Sequence, residues 1–111
     1  MEITTRAVGK CKVIDCGSLT LGPVTASLRE AIREAVRDGT SKVVLNLAKV
    51  THIDSSGLGE IIHGYYHVRA QGGNLVLLNV SEKIRRLIAN LKLVFIFDIY
   101  DDEQEALEGC E

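Results

Sequence analysis

Two runs of consecutive apolar residues constrain the fold of this chain most strongly. They are KVVLNL at 42–47 and NLVLLNV at 74–80, and both are apolar on successive rather than alternating positions. A strand with that pattern is covered on both faces, which is typical of a parallel sheet with helices packed against it. Residues 55–71 between them have helical periodicity, and Gly72-Gly73 ends that helix. The pattern predicts a strand–helix–strand unit.

The segments on either side extend this unit. Two short strand-like runs flank Gly9-Lys10 and predict a hairpin. A helix closed by Gly39 is predicted before the first apolar run, and a helix capped by Ser81 after the second. LVFIFDIY predicts a last strand, and Asp101 with Gln104 predicts a capping box that starts a terminal helix.

The predicted order is therefore β-β-α-β-α-β-α-β-α. Strands separated by helices favour parallel pairing, and the first hairpin supplies an antiparallel edge. The expected fold is a single α/β domain over residues 1–111, with a mixed, mostly parallel sheet of four to five strands and about four helices. Ligand sites in such sheets tend to lie at the carboxyl ends of the strands. Residues 51–57 fall at such an end.

Charge, hydropathy and cysteine content narrow the classes of function. The net charge is -2, with basic residues scattered along the chain, so no nucleic-acid partner is expected. No stretch approaches the roughly eighteen apolar residues of a membrane span, so no membrane insertion is expected. The three cysteines are odd in number and have no C-x-x-C spacing. They predict reduced thiols in a cytoplasmic protein.

The stretch DSSGLG at 54–59 is the most unusual helix start in the chain. Asp54 is a strong N-cap candidate, which places Ser55 and Ser56 in the first turn, close to free backbone N–H groups. Three glycines, Gly57, Gly59 and Gly64, each cost about 1 kcal/mol relative to alanine inside a helix. Two interpretations stay open: close packing of the helix on the sheet, or a docking surface for a protein partner.

The sequence supports a catalytic or metal-binding site less well than it supports a packing or docking surface. A serine hydrolase needs G-x-S-x-G with a base and an acid, but Ile53 and Asp54 precede Ser55, and His52 has no evident partner. His63 and His67 have chelating spacing without the H-E-x-x-H arrangement, so no metal or cofactor is expected.

The basic cluster on the following helix predicts a solvated face or contact with an acidic partner; its members are Lys83, Arg85 and Arg86.

Residues 43–93 resemble the central part of a STAS domain, specifically a bacterial anti-sigma factor antagonist. The most specific element is Asp54-Ser55-Ser56-Gly57-Leu58-Gly59 after a buried strand. The Gly72-Gly73 turn, the second buried strand and NVSEKIRRLI follow at the intervals usual in that family. The similarity extends over nearly the whole chain.

The resemblance implies a regulatory binding protein rather than an enzyme. Family members bind an anti-sigma factor that is also an ATP-dependent serine kinase, and so release the sigma factor. The kinase phosphorylates the first serine of the motif, here Ser55, which reverses binding, and a serine phosphatase resets it. The resemblance implies a cytoplasmic monomer or weak dimer. The implied partner-binding residues are Thr20, Asp54, Ser55, Ser56, Gly57, Leu58, Asn79 and Ser81.

One segment departs from the family pattern. Antagonists commonly have a G-x-L-D-like segment after the second strand, but here Thr20 stands in place of the aspartate, and Ser18 stands where an acidic residue is frequent. This departure bears on pairing with the kinase rather than on the fold. Two other classes remain as alternatives: a STAS scaffold or accessory subunit of a stress-signalling or lipid-transport complex, and a nucleotide sensor with its site near 51–55.

Overall fold

The computed structural model describes residues 3–17, 20–21, 26–93 and 96–110. Two short strands lie outside the main sheet and pair with each other. The strands are β1 (Ile3–Val8), β2 (Cys11–Cys16), β3 (Thr20–Leu21), β4 (Lys42–Asn46), β5 (His52–Ile53), β6 (Asn74–Leu78) and β7 (Ile99–Tyr100). The helices are α1 (Ala26–Val36), α2 (Ser55–Ala70), α3 (Glu82–Asn90) and α4 (Glu103–Ala106). None of these helices is long and apolar enough to cross a membrane.

The main sheet has five strands in the order β1-β2-β4-β6-β7. The hairpin strand β1 is antiparallel to β2, and the pairs from β2 to β7 are parallel. Val13 is aligned with Val44, and Val44 with Val76, so one row of valines crosses the centre of the sheet. The predicted α/β class, the mixed sheet and the antiparallel edge are confirmed.

Helices cover both faces of this sheet, which explains the continuous apolar runs. On the inner face, residues such as Leu45 and Leu77 pack against α1, α2 and α3 in the large core. On the outer face, Val44 and Leu78 pack against Ala106 of α4 in a smaller cluster. Because side chains of a strand alternate between faces, β4 and β6 need apolar residues at successive positions.

The secondary structure differs from the sequence-based expectation at three places. The parallel pair β3–β5 was not predicted, because two-residue strands have no periodicity to detect. The last strand is restricted to Ile99–Tyr100 among the described residues. The N-cap of α4 is Asp102, whose Oδ2 accepts a hydrogen bond from Glu105 N. The predicted cap, Asp101, is wrong, because its carboxylate pairs with Arg85.

The prediction of three reduced thiols is wrong for two of the cysteines. Cys11 and Cys110 form a disulfide with their Cα atoms 5.4 Å apart, and only Cys16 is free. Cys11 starts β2, and α4 carries the chain back across the outer face to place Cys110 beside it. The two residues are 99 positions apart, so local sequence patterns do not indicate the pairing.

Candidate functional site

Asp54 is the N-cap of helix α2, as predicted, and its side chain holds the first turn together. Its backbone is extended, with φ -92°, and its Oδ1 accepts hydrogen bonds from Gly57 N at 2.9 Å and Ser56 Oγ at 2.8 Å. The Gly57 amide, followed by the Ser56 hydroxyl, holds the pKa of the Asp54 carboxyl below its usual range. A fixed, ionised carboxylate therefore lies at the start of α2.

The two adjacent serines have different surroundings. Ser56 donates its hydroxyl to Asp54, so that side chain is part of the cap. Ser55 is the first residue of the helix and is exposed, and its hydroxyl is without a hydrogen-bond partner among the described residues. Both serines are exposed, and Ser55 is the one whose hydroxyl is unengaged among the described residues.

The glycines of α2 divide between the two interpretations offered by the sequence. A Cβ on Gly64 would lie 2.6 Å from Ile32 Cδ1, so close packing of α1 on α2 explains that glycine. A Cβ on Gly59 would meet none of the described residues within 4 Å. Packing against the described residues therefore does not explain Gly59, which is exposed one turn after Ser55.

The short pair β3–β5 brings the segment around Thr20 to this helix start. Thr20 is aligned with His52 in a parallel pairing, and β5 leads directly into Asp54. The structure thus places the Thr20 backbone beside the strand that precedes the site. The Thr20 side chain and Ser18 lie outside the described part of the structure.

Helix α3 also approaches β5, through a contact that the sequence does not predict. Lys83 Nζ lies 3.2 Å from His52 Nδ1, which links the first turn of α3 to the strand before Asp54. Ser81 begins α3 as predicted, because its Oγ accepts a hydrogen bond from Ile84 N at 3.3 Å. The contact between Lys83 and His52 depends on tertiary packing, and neither residue has a sequence signal for it.

Asn79 belongs to a polar network at the carboxyl ends of the neighbouring strands. Its φ is 58°, in the left-handed region that asparagine tolerates, and its Nδ2 donates to Asn46 Oδ1 at 3.2 Å. Asn46 in turn donates to Asp15 Oδ1 at 2.8 Å. These contacts give Asn79 a structural role at the strand ends.

The other polar clusters have partners within the chain. Arg29 of α1 pairs with Glu60, and it holds the pKa of that carboxyl below its usual range. His63 is exposed next to this pair. Within the described ranges, no group of three or more histidine, cysteine or acidic side chains is placed to hold a metal ion. Arg85 and Arg86 form ion pairs with Asp101 and Glu82.

Comparisons with known proteins agree with this fold. The protein-family model of the STAS domain matches residues 2–106 of this chain. The anti-sigma F factor antagonist of Paenibacillus polymyxa is 34% identical over 88 residues, which are 79% of this chain and 73% of that protein.

Solved structures extend the likeness to nearly the whole fold. A candidate anti-sigma factor antagonist from Thermotoga maritima superposes with a TM-score of 0.83 at 26% identity, over 97% of this chain and 93% of that one. The anti-sigma factor antagonist SpoIIAA in its unphosphorylated form has the same fold, with a TM-score of 0.79 at 23% identity, over 96% and 94% of the two chains. The chain therefore belongs to the STAS domain family, and these three relatives are described as anti-sigma factor antagonists.

Proposed function

We propose that this protein is an anti-sigma factor antagonist that is switched by phosphorylation of Ser55. In its unmodified form it binds an anti-sigma factor that is also an ATP-dependent serine kinase, and so releases the sigma factor. The observation that carries the proposal is the exposed hydroxyl of Ser55, unengaged among the described residues and next to the ionised Asp54. A kinase needs an accessible hydroxyl. Both serines are exposed, but the Ser55 hydroxyl is unengaged among the described residues, whereas that of Ser56 donates to Asp54.

A phosphate on Ser55 is compatible with the fold. Phosphorylation adds about -1.5 to -2 charges and three acceptor oxygens. At a helix N-terminus an anion is stabilised by about 0.3–1 kcal/mol through the free N–H groups and the helix dipole. Since the Ser55 side chain is exposed, the added group displaces no part of the core. The modification is expected to leave the fold intact.

The effect of the phosphate is expected to fall on the partner. The partner's surface is complementary to the neutral hydroxyl of Ser55. After phosphorylation it meets a dianion next to Asp54 instead. Like-charge juxtaposition across an interface costs several kcal/mol, and each 1.4 kcal/mol changes affinity about tenfold. The described residues leave the surface at Gly59 uncovered. This supports the same location for the partner, because a neighbouring chain can approach the helix backbone closely there.

The Thr20 segment limits what the partner can be. Its backbone lies beside β5, at the edge of the same surface, but it brings a hydroxyl residue where antagonists commonly have aspartate. We therefore expect a kinase that does not depend on a carboxylate at this position. The remaining parts of the proposal are a serine phosphatase that restores Ser55, a cytoplasmic location, and a monomer or weak dimer that acts as a kinase substrate rather than as an enzyme.

The proposal is tested by capture from native lysate with added ATP, followed by phosphopeptide mapping of this chain. We expect phosphate on Ser55 and a bound serine kinase that is recovered only with the unmodified form. Ser55→Ala should abolish labelling. The matched control Ser56→Ala should keep it, since it removes only a hydroxyl bonded to Asp54.

Two outcomes would contradict the proposal. Labelling that persists in Ser55→Ala would place the modification elsewhere. An unmodified chain that captures membrane-transport proteins would favour the accessory-subunit alternative, with residues 54–59 acting only as a helix cap and docking surface.

A further inference from the structure

The C-terminal segment 101–110 is attached to the outer face of the sheet by contacts from several strands. Lys42 Nζ of β4 donates to the carbonyl oxygens of Ala106 at 3.0 Å and Glu108 at 3.1 Å. The backbone of Lys10 donates to Cys110 O at 2.7 Å. Beneath the segment, Ala106 and Leu107 cover an apolar cluster on the sheet. Helix α4 has only four residues, so these contacts rather than helix propensity hold it in place.

The disulfide adds a covalent link to the end of this segment. It joins the first residue of β2 to Cys110 and closes a loop that contains nearly the whole chain. Its Cα separation of 5.4 Å lies within the usual range for bridged cysteines. In the entropic account, a cross-link across so long a loop stabilises the folded state strongly.

Cys11 and Cys110 are only 1% and 2% exposed, so a thiol reagent reaches the bond when the C-terminal segment opens locally from the sheet. An open cleft of about 420 Å³ reaches Cys110 and is lined also by Val8, Gly9, Gln104, Leu107 and Glu108. On the other side, Ser41 Oγ lies 3.7 Å from Cys11 Sγ. Its hydroxyl donates to Lys10 O at 3.2 Å, and it can rotate to donate to a Cys11 thiolate after reduction. The third thiol, Cys16, lies in the core, and burial raises its pKa to about 12, so it is not a competing nucleophile.

We propose that Cys11 and Cys110 form a reversible dithiol–disulfide site that controls how firmly the C-terminal segment is held on the sheet. The oxidant is a low-molecular-weight or protein disulfide. The thiolate of one cysteine attacks it, forming a mixed disulfide and releasing one thiolate, and the second cysteine then displaces the other. Two electrons pass to the oxidant and two protons to solvent. A dithiol reductant reverses both steps and leaves α4 held by its noncovalent contacts alone.

The first test counts thiols. The full-length folded protein is equilibrated with mixtures of reduced and oxidised dithiothreitol, quenched, denatured and alkylated, and its mass is measured. We expect one labelled thiol, Cys16, at the oxidising end and three at the reducing end, with a continuous transition between them. Three labelled thiols throughout would show that the pair does not form. One labelled thiol throughout would show a permanent cross-link, and either result would overturn the proposal.

The second test measures how the disulfide affects the protection of the C-terminal segment and the stability of the fold. On reduction, amide hydrogen exchange is expected to rise at least tenfold in residues 102–110, and the melting temperature to fall by roughly 10–20 °C. Cys110→Ser should match the reduced protein in both buffers, and the matched control Cys16→Ser should respond to reduction as the wild type does. Equal protection of residues 102–110 in both redox states would overturn control of the segment by the bond.

Discussion

The start of α2 and the C-terminal segment 101–110 differ in how many of their polar groups are engaged. In the C-terminal segment, Glu103 pairs with Arg6, Lys42 holds two carbonyl oxygens, and Cys110 is covalently bound. At the start of α2, Ser55 is exposed with its hydroxyl unengaged among the described residues, and no described side chain approaches Gly59.

The lengths of the two helices explain this difference. Helix α2 has 16 residues and is anchored by Ile61 and Val68 in the core, so its first turn can remain open. Helix α4 has four residues and needs external contacts to exist. Substitutions at the start of α2 should therefore change binding and leave stability nearly constant, whereas substitutions in the C-terminal contacts should do the reverse.

The largest expected effect is that of Ser55→Asp on partner binding. The added charge beside Asp54 should lower affinity for the anti-sigma factor by roughly 100- to 1000-fold, about 2.7–4 kcal/mol. The melting temperature should move by no more than a few degrees, because the side chain is exposed. Calorimetric titration and thermal melting measure the two quantities, with Ser55→Ala as the neutral control. A collapse of the melting temperature would show that the two regions are not separable.

Arg6→Gln addresses the C-terminal contacts. Arg6 pairs with Asp15 of β2 and Glu103 of α4, and it holds the pKa of both carboxyls below their usual ranges. The pairs are partly exposed, so the expected loss near pH 7 is about 1 kcal/mol. Partner binding should not change.

The pH dependence of that loss follows from the direction of the shifts. A lowered folded-state pKa contributes stability above the unfolded pKa of about 4, and this contribution is lost as pH falls through the folded pKa. The difference in melting temperature between wild type and Arg6→Gln should therefore shrink below about pH 4. Arg86→Gln removes an exposed pair within α3 and serves as the matched control. Parallel curves for wild type and Arg6→Gln from pH 3 to 7 would contradict the assigned role of Arg6.

The smallest expected effect is that of Gly59→Ala on stability. Alanine should stabilise the helix by about 0.5–1 kcal/mol, because its Cβ meets no described atom within 4 Å. If the partner packs against this backbone, affinity falls while stability rises, an opposition that thermal melting and titration detect together. Gly64→Ala is the control, since its Cβ would press on Ile32 and should not stabilise. Unchanged affinity in Gly59→Ala would show that Gly59 does not lie in the interface with the partner.

Much of the fold was predictable because its signals are local. The apolar runs of β4 and β6 and the caps at Asp54 and Ser81 are defined by neighbouring residues, and the structure confirms them. The capping of α4 was assigned to Asp101 instead of Asp102, because two adjacent aspartates are equivalent until Arg85 engages one of them.

For the candidate site, the sequence determined the motif, and the tertiary structure determined its surroundings. The sequence alone established the order of the helices and of the five main-sheet strands, and the position of Asp54-Ser55 at a helix start, because hydrophobic periodicity and capping act over a few residues. The tertiary structure decided that Thr20 lies beside His52, that Lys83 reaches the same strand, and that Cys11 meets Cys110. Those contacts join residues far apart in the chain, and only strand register and the packing of helices on the sheet bring them together.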